Sequence, residues 1–249
     1  IGSRAPFTQI RARRARVALA ALSEPLIPKR SSTGARAVSD LKSRKRGQLS
    51  QTPAAAMATF TTTKPSEEET NKVYDRQIRL WGADAQRRIQ ASRVLFLGLG
   101  PANVELCKNL VLAGFSATIC DHRKVDAASL GYNFFADAES IGKSAAEASI
   151  ENIAELNPFA DVKIGSTSSC TDAKTADELV EGHGVVIIDV PCARGSEEER
   201  RLINEACRKS GAKFLAVRCS GDGAAAFLDL GAEHTYVVET GEGAKKTTS

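Results

Sequence analysis

Arg93-Val-Leu-Phe-Leu-Gly-Leu-Gly100 decides the fold, with Tyr74-Asp-Arg-Gln-Ile-Arg-Leu-Trp-Gly82 lying about twenty residues ahead of it. Residues 93–98 read as a continuously apolar strand, the pattern of a strand covered on both faces. Gly98 and Gly100 follow, and Pro101 suits the first position of a helix, where its missing N–H costs little. A strand that runs through a glycine turn into a helix opens a parallel α/β unit. The glycines let backbone N–H groups approach a phosphate at the positive end of that helix.

Working outward, Ser66-Glu-Glu-Glu69 has the spacing of a capping box, with the serine oxygen for the N3 amide and a glutamate returning to the serine amide. The carboxylates also suit the helix dipole. One helix is expected over about 67–80, with Val73, Ile78 and Trp81 partly on one side and Gly82 as its stop. A second covers about 83–91. Downstream, helix 102–113, strand 116–120, a loop through 121–140, helix 142–156 and strand 161–165 follow in turn. A helix near 173–181, strand 184–189, helix 196–210 and strand 213–218 continue the alternation. Residues 224–230 and 234–239 read as strands joined by a glycine-containing turn and are expected to pair antiparallel. The expected fold is α/β and Rossmann-like: a doubly wound, mostly parallel sheet with an N-terminal helical extension and C-terminal antiparallel strands.

The 249 residues suffice for one sizeable domain and a tail. Residues 66–240 are taken as that domain, 1–65 as a disordered basic head and 241–249 as a polar, frayed tail. Charge divides the same way. Residues 1–56 carry 12 Lys and Arg against Glu24 and Asp40, whereas the remainder carries 22 basic and 28 acidic residues. The pI of 8.7 therefore belongs to the head and gives a nucleic-acid role for the domain no support. The head reads as an organelle transit peptide, or as a nuclear import signal at Ser43-Arg-Lys-Arg46. It also reads as upstream sequence ahead of a natural start at Met57, the only methionine. No run approaches the 18 apolar residues of a membrane span. Cys107, Cys120, Cys170, Cys192, Cys207 and Cys219 lack paired spacing, and several lie in apolar runs like buried thiols. His122, His183 and His234 are too dispersed for a ligand set.

In the glycine turn, Gly98 and Gly100 fill two places of G-x-G-x-x-G, and Asn103 takes the third, which weakens close helix–strand packing. Asp121, ending strand two, stands where a carboxylate accepts hydrogen bonds from a ribose. This set fits a nucleotide pocket, and equally a Rossmann-like scaffold that binds no nucleotide.

Tyr74–Gly82 together with the turn resembles the ubiquitin-like activating enzymes, relatives of the bacterial adenylyltransferases of thiamine and molybdopterin synthesis. The resemblance spans about residues 70–240. It implies that Arg76 reaches into a partner subunit's ATP site, with Arg79 a structural or interface residue. Adenylating members carry G-x-G-G-L-G, where this chain has Gly98-Leu-Gly-Pro-Ala-Asn103. Their S-N-L-x-R-Q-F is here Ser129-Leu-Gly-Tyr-Asn-Phe-Phe135, without the arginine. Ala145 stands at their phosphate lysine, although Lys143 is near. Cys192 stands at the second aspartate of D-x-x-D-N, which helps to hold magnesium. Losing these charges together removes most of the stabilisation that nucleotidyl transfer needs. The resemblance thus implies a vestigial pocket at Gly98, Gly100 and Asp121, with no metal or cofactor in this chain. A larger partner would bring ATP, Mg2+ and the catalytic cysteine.

Leu156-Asn-Pro-Phe-Ala-Asp-Val-Lys163 and Phe227-Leu-Asp-Leu-Gly-Ala-Glu-His234 are most similar to the small regulatory subunits serving SUMO. Asn133-Phe-Phe and Ser140-Ile-Gly-Lys143 resemble those of neddylation. These imply a heterodimer acting in protein sumoylation, in the nucleus and cytoplasm. The isolated chain is then expected to be inactive. A nicotinamide-dependent oxidoreductase is the rival from another class: Gly98, Gly100 and Asp121 would serve it, but no Tyr-x-x-x-Lys pair lies near Tyr132 or Tyr236.

Overall fold

The computed structural model describes residues 66–166, 170–190, 196–240 and 243–248. The head, residues 1–65, lies outside the described residues, and so does Cys192. Two short helices, α1 (Glu67–Val73) and α2 (Asp75–Trp81), lead into α3 (Ala83–Ala91). Next come β1 (Arg93–Leu97), α4 (Pro101–Ala113), β2 (Ser116–Cys120), α5 (Ala145–Glu155) and β3 (Val162–Ile164). They are followed by α6 (Ala173–Val180), β4 (Val185–Asp189), α7 (Glu197–Ser210) and β5 (Lys213–Ser220). The last strands are β6 (Gly223–Asp229), β7 (Thr235–Thr240) and β8 (Gly243–Thr248).

Six strands form one sheet in the order β3-β2-β1-β4-β5-β6. The first five run parallel, and β6 returns antiparallel on β5. Each parallel link is a helical crossover, so helices cover both faces. Val94 and Phe96 of β1 meet Val104, Val111, Ile150 and Ile153 of α4 and α5. Leu95 and Leu97, pointing the other way, meet Val180, Ile203 and Ala206 of α6 and α7. A strand buried on both faces has no polar alternation to show, hence its continuous apolar reading. Each large side chain so buried contributes roughly 1.5–3 kcal/mol. The doubly wound α/β sheet is therefore as expected, and its order reverses between β1 and β4. Crevices for ligands form at such a reversal, outside the carboxyl ends of the strands.

Three expectations need correction. The helix expected over 67–80 is broken at Tyr74, although its capping box at Ser66 and Glu69 is present. The cause is tertiary. Tyr74 is only 1% exposed, and its hydroxyl accepts a hydrogen bond from Asn157 Nδ2 (2.8 Å). The ring lies against Gly114, the left-handed residue that ends α4 (φ +106°), where a Cβ would stand 3.1 Å from the Tyr74 hydroxyl and 3.2 Å from Gln86 Nε2. Gln86 in turn donates to Ala113 O (2.9 Å) and accepts from Trp81 Nε1 (3.0 Å). The helical extension is thus docked by buried polar side chains at 74 and 86.

The strands at 224–230 and 234–239 do not pair with each other. β6 pairs with β5 along its whole length, from Phe214↔Asp229 to Ser220↔Gly223, and β7 pairs with β8. The Asp229 carboxylate fixes the far end of β6, accepting from Arg208 Nε (2.6 Å), Asn204 Nδ2 (3.0 Å) and Gly231 N (3.0 Å). The segment expected to fray at 241–249 contains β8, which supplies β7 with its hydrogen-bonding partner.

Truncating Tyr74 removes both a filled volume and a partner for Asn157. Tyr74→Ala is expected to lose about 3–5 kcal/mol of stability. Tyr74→Phe, which deletes only the hydroxyl while Asn157 keeps its bond to Val111 O, is expected to lose about 1 kcal/mol. Urea unfolding of the two variants checks the ratio.

Candidate functional site

The glycine turn lies at the strand-order reversal. Gly98 ends β1 with φ +81°, a left-handed conformation that favours glycine, and its N–H donates to Cys120 O (3.0 Å). Gly100 is extended and caps α4, with Pro101 as the first helical residue. Both glycines thus sit at the crevice mouth. Asn103, read from the sequence as a loss of packing, instead has a structural task. Wholly buried, its carboxamide nitrogen donates to Gly98 O (2.6 Å) and approaches Leu97 O (3.4 Å) and Ile187 O (3.5 Å). One side chain thereby ties the carboxyl ends of β1 and β4. Nothing in the motif signals this, because asparagine at the third place reads only as a missing glycine.

Asp121 follows β2 and is buried. Oδ2 accepts from Leu99 N (2.7 Å) and Arg123 Nη2 (2.5 Å), and Oδ1 accepts from Arg123 N (2.9 Å) and Nε (3.1 Å). The carboxylate that would receive a ribose is therefore engaged by the chain itself. On the phosphate side, Asp189 at the end of β4 accepts from Asn103 N (3.2 Å) through Oδ2, and the Ala102 amide also hydrogen-bonds to it. A carboxylate of the same chain thus occupies first-turn amides of α4 that a phosphate would use.

The positions of the missing charges have become structural. Asn133 stands in place of the arginine; it is buried and donates to Ser149 Oγ (3.1 Å). Ala145 starts α5, and its N–H donates to Arg123 O (2.8 Å). Lys143 is exposed. Tested against an adenine nucleotide, the crevice does not fit: its sugar acceptor is saturated and its phosphate donors are partly capped from within.

Arg76 lies apart from this network. It is exposed on α2, and its side chain forms no ion pair among the described residues. Its neighbour Arg79 takes the nearby acid, with Nε 3.1 Å from Asp75 Oδ1. No group of three or more His, Cys, Asp or Glu that could hold a metal ion occurs among the described residues. Burial pushes the Cys107 and Cys207 thiols up to about 12, which leaves them unsuited to nucleophilic attack. A cavity of about 550 Å3 opens elsewhere, between the sheet and α6, with Thr118, Cys120, Leu179 and His183 in its wall. His183 Nε2 is 2.9 Å from Thr118 Oγ1 there. Cys120, whose carbonyl accepts from Gly98 N, separates this cavity from the glycine turn.

Asp189 is the buried carboxyl at the end of β4 whose titration is expected to follow pH. Burial pushes its carboxyl up to about 6 against the Asn103 and Ala102 amides, which oppose the shift, and Oδ1 has no partner among the described residues. The unfolded value is near 3.9. A raised folded value means that the native state binds the proton more tightly. This contribution to stability is full below about pH 4 and is lost as pH rises through 6. Asp189→Asn removes the titration. Relative to the variant, the wild type is expected to lose on the order of 2–3 kcal/mol between pH 4 and 7, read by urea unfolding of both proteins across that range.

Compared with known proteins, residues 74–240 match the ThiF family. SUMO-activating enzyme subunit 1 of Rattus norvegicus is 37% identical over 175 residues, covering 70% of this chain and 48% of its own length. The protein of the same name from Homo sapiens is 37% identical over 181 residues, covering 72% and 50%. The chain spans about half the length of these curated relatives. Among solved structures, the crystal structure of selenomethionine PaaA superposes with a TM-score of 0.53 at 19% identity, covering 63% of this chain and 49% of that one. This last likeness is one of fold.

Proposed function

The chain belongs to the ThiF family, and on that footing we propose that it is the small regulatory subunit of a heterodimeric SUMO-activating enzyme. The observation that carries this reading is a contrast. The chain's own nucleotide crevice is satisfied from within, while Arg76 is exposed and, among the described residues, without an ion pair on a helix docked to the body. The similarity to SUMO-activating enzyme subunit 1 supplies the modifier class.

In this reading the larger subunit holds ATP and Mg2+ and carries the catalytic cysteine. Arg76 completes its ATP site from across the interface. The reaction there is attack of the modifier's C-terminal carboxylate on the α-phosphate, with pyrophosphate leaving. A guanidinium stays charged when desolvated and matches phosphate oxygens two at a time, so it offsets the charge on the departing group. Arg79, engaged with Asp75, serves the helix and its interface. The isolated chain does not adenylate. A nuclear and cytoplasmic location belongs to the same reading.

ATP–pyrophosphate exchange with SUMO tests it, using this chain alone, the large subunit alone and the pair. Exchange is expected only from the pair. Arg76→Ala should lower it on the order of 100-fold with the complex intact by size-exclusion chromatography, and Arg79→Ala should leave it within a few-fold of wild type. Exchange by this chain alone, or an undiminished rate with Arg76→Ala, would overturn the assignment. Exchange driven only by the neddylation modifier would move the chain to that pathway.

A further inference from the structure

We propose that Arg123 is an internal occupant of the nucleotide crevice, its guanidinium held on Asp121 where the sugar of a ribonucleoside would otherwise be received. Arg123 then excludes the ligand actively, beyond the loss of phosphate-binding side chains. The inference rests on the crevice geometry alone and is independent of which partner or modifier the chain serves.

The geometry is that of a closed loop. Arg123 follows Asp121 by two residues, and its N–H and Nε both donate to Oδ1, at 2.9 and 3.1 Å. Nη2 reaches Oδ2 at 2.5 Å, beside the Leu99 amide at 2.7 Å. The backbone is held at the same time: Ala145 N donates to Arg123 O (2.8 Å), and Ala146 N donates to Asp121 O (3.2 Å). The Asp121 side chain is 1% exposed, so water does not complete its shell, whereas that of Arg123 is 34% exposed. The carboxylate is thus closed off from solvent, while part of the Arg123 side chain that caps it remains in contact with water.

Chemistry favours the occupant over a sugar. Two charge-assisted hydrogen bonds from a planar fork, supplied intramolecularly, compete with neutral hydroxyls that must also give up translational freedom. Removing the guanidinium leaves Asp121 with the Leu99 and Arg123 amides. Both its oxygens then keep acceptor capacity facing the crevice, which a 2′,3′-diol can fill.

Because Asn133 and Ala145 stand where the phosphate-binding side chains would be, the suitable probe is the nucleoside. Adenosine binding is measured by calorimetry or saturation-transfer NMR on the full chain and on Arg123→Ala. The variant is expected to bind at least about ten-fold more tightly, equivalent to about 1.4 kcal/mol. 2′,3′-Dideoxyadenosine should show no such gain, and Asp121→Asn added to Arg123→Ala should abolish it. Equal adenosine binding by wild type and a folded Arg123→Ala variant overturns the proposal. A gain that is the same for the dideoxynucleoside overturns it too, because the sugar hydroxyls are then not what Arg123 displaces. If Arg123→Ala does not fold, Arg123→Gln, which keeps one donor for Asp121 without the charge, is read by the same outcomes.

Discussion

One buried carboxamide sets the shape of the crevice at the carboxyl end of the sheet. Strand order reverses between β1 and β4, so the chain leaves these two neighbours toward opposite faces just past the ladder that pairs them as far as Leu97 and Ile188. Asn103 reinforces that junction, donating to the Gly98 carbonyl of the turn while approaching one carbonyl of β1 and one of β4. Its own N–H is fixed by Asp189 from the β4 end. A glycine at this position would let helix and strand approach more closely and leave the crevice wider. The asparagine fills that space and gives its carboxamide nitrogen to the fold, while its Oδ1 has no partner among the described residues.

The same rule runs through the rest of the crevice. Buried polar groups are satisfied by something, and groups that would be satisfied by a ligand in an adenylating relative find partners inside this chain. Asp121 has Arg123, the first amides of α4 have Asp189, and the position of the absent arginine holds Asn133 bonded to Ser149. Such internal satisfaction is incomplete. Asp189 retains an oxygen with no partner among the described residues, and its raised pKa reflects that burial. Arg76 of α2 shows the opposite arrangement, an exposed charge without an ion pair among the described residues.

Much of the fold was legible because it rests on local or repetitive signals. Apolar runs bounded by helices report strands buried on both faces, and Ser66 with Glu69 reports a helix start through one-turn chemistry. The glycine turn was legible too, since Gly98 requires φ of +81°. What escaped depends on distant partners. The break at Tyr74 is caused by Gly114 and Asn157, both far along the chain, and a propensity reading cannot weigh that pull. The pairing of β6 with β5 rather than β7 is a choice among possible neighbours, decided in part by Asp229 anchoring to α7. In the site, residue types were visible but side-chain direction was not. Arg123 lies two residues from Asp121, and only the fold turns its guanidinium back onto that carboxylate.

The Tyr74 anchor also divides the N-terminal arm into segments of different local stability. Neither α1 nor α2 contains a buried residue of its own, so what separates them is the buried ring of Tyr74 at their junction. Past the anchor, the stretch from 75 to 85 is held at both ends, by Tyr74 and by Gln86 with Trp81. Opening there requires withdrawing a buried ring or carboxamide, so hydrogen exchange in α2 reports a cooperative unit shared with the body of the domain. α2 is thus an exposed helix with a buried anchor at each end, Tyr74 before it and Gln86 after it.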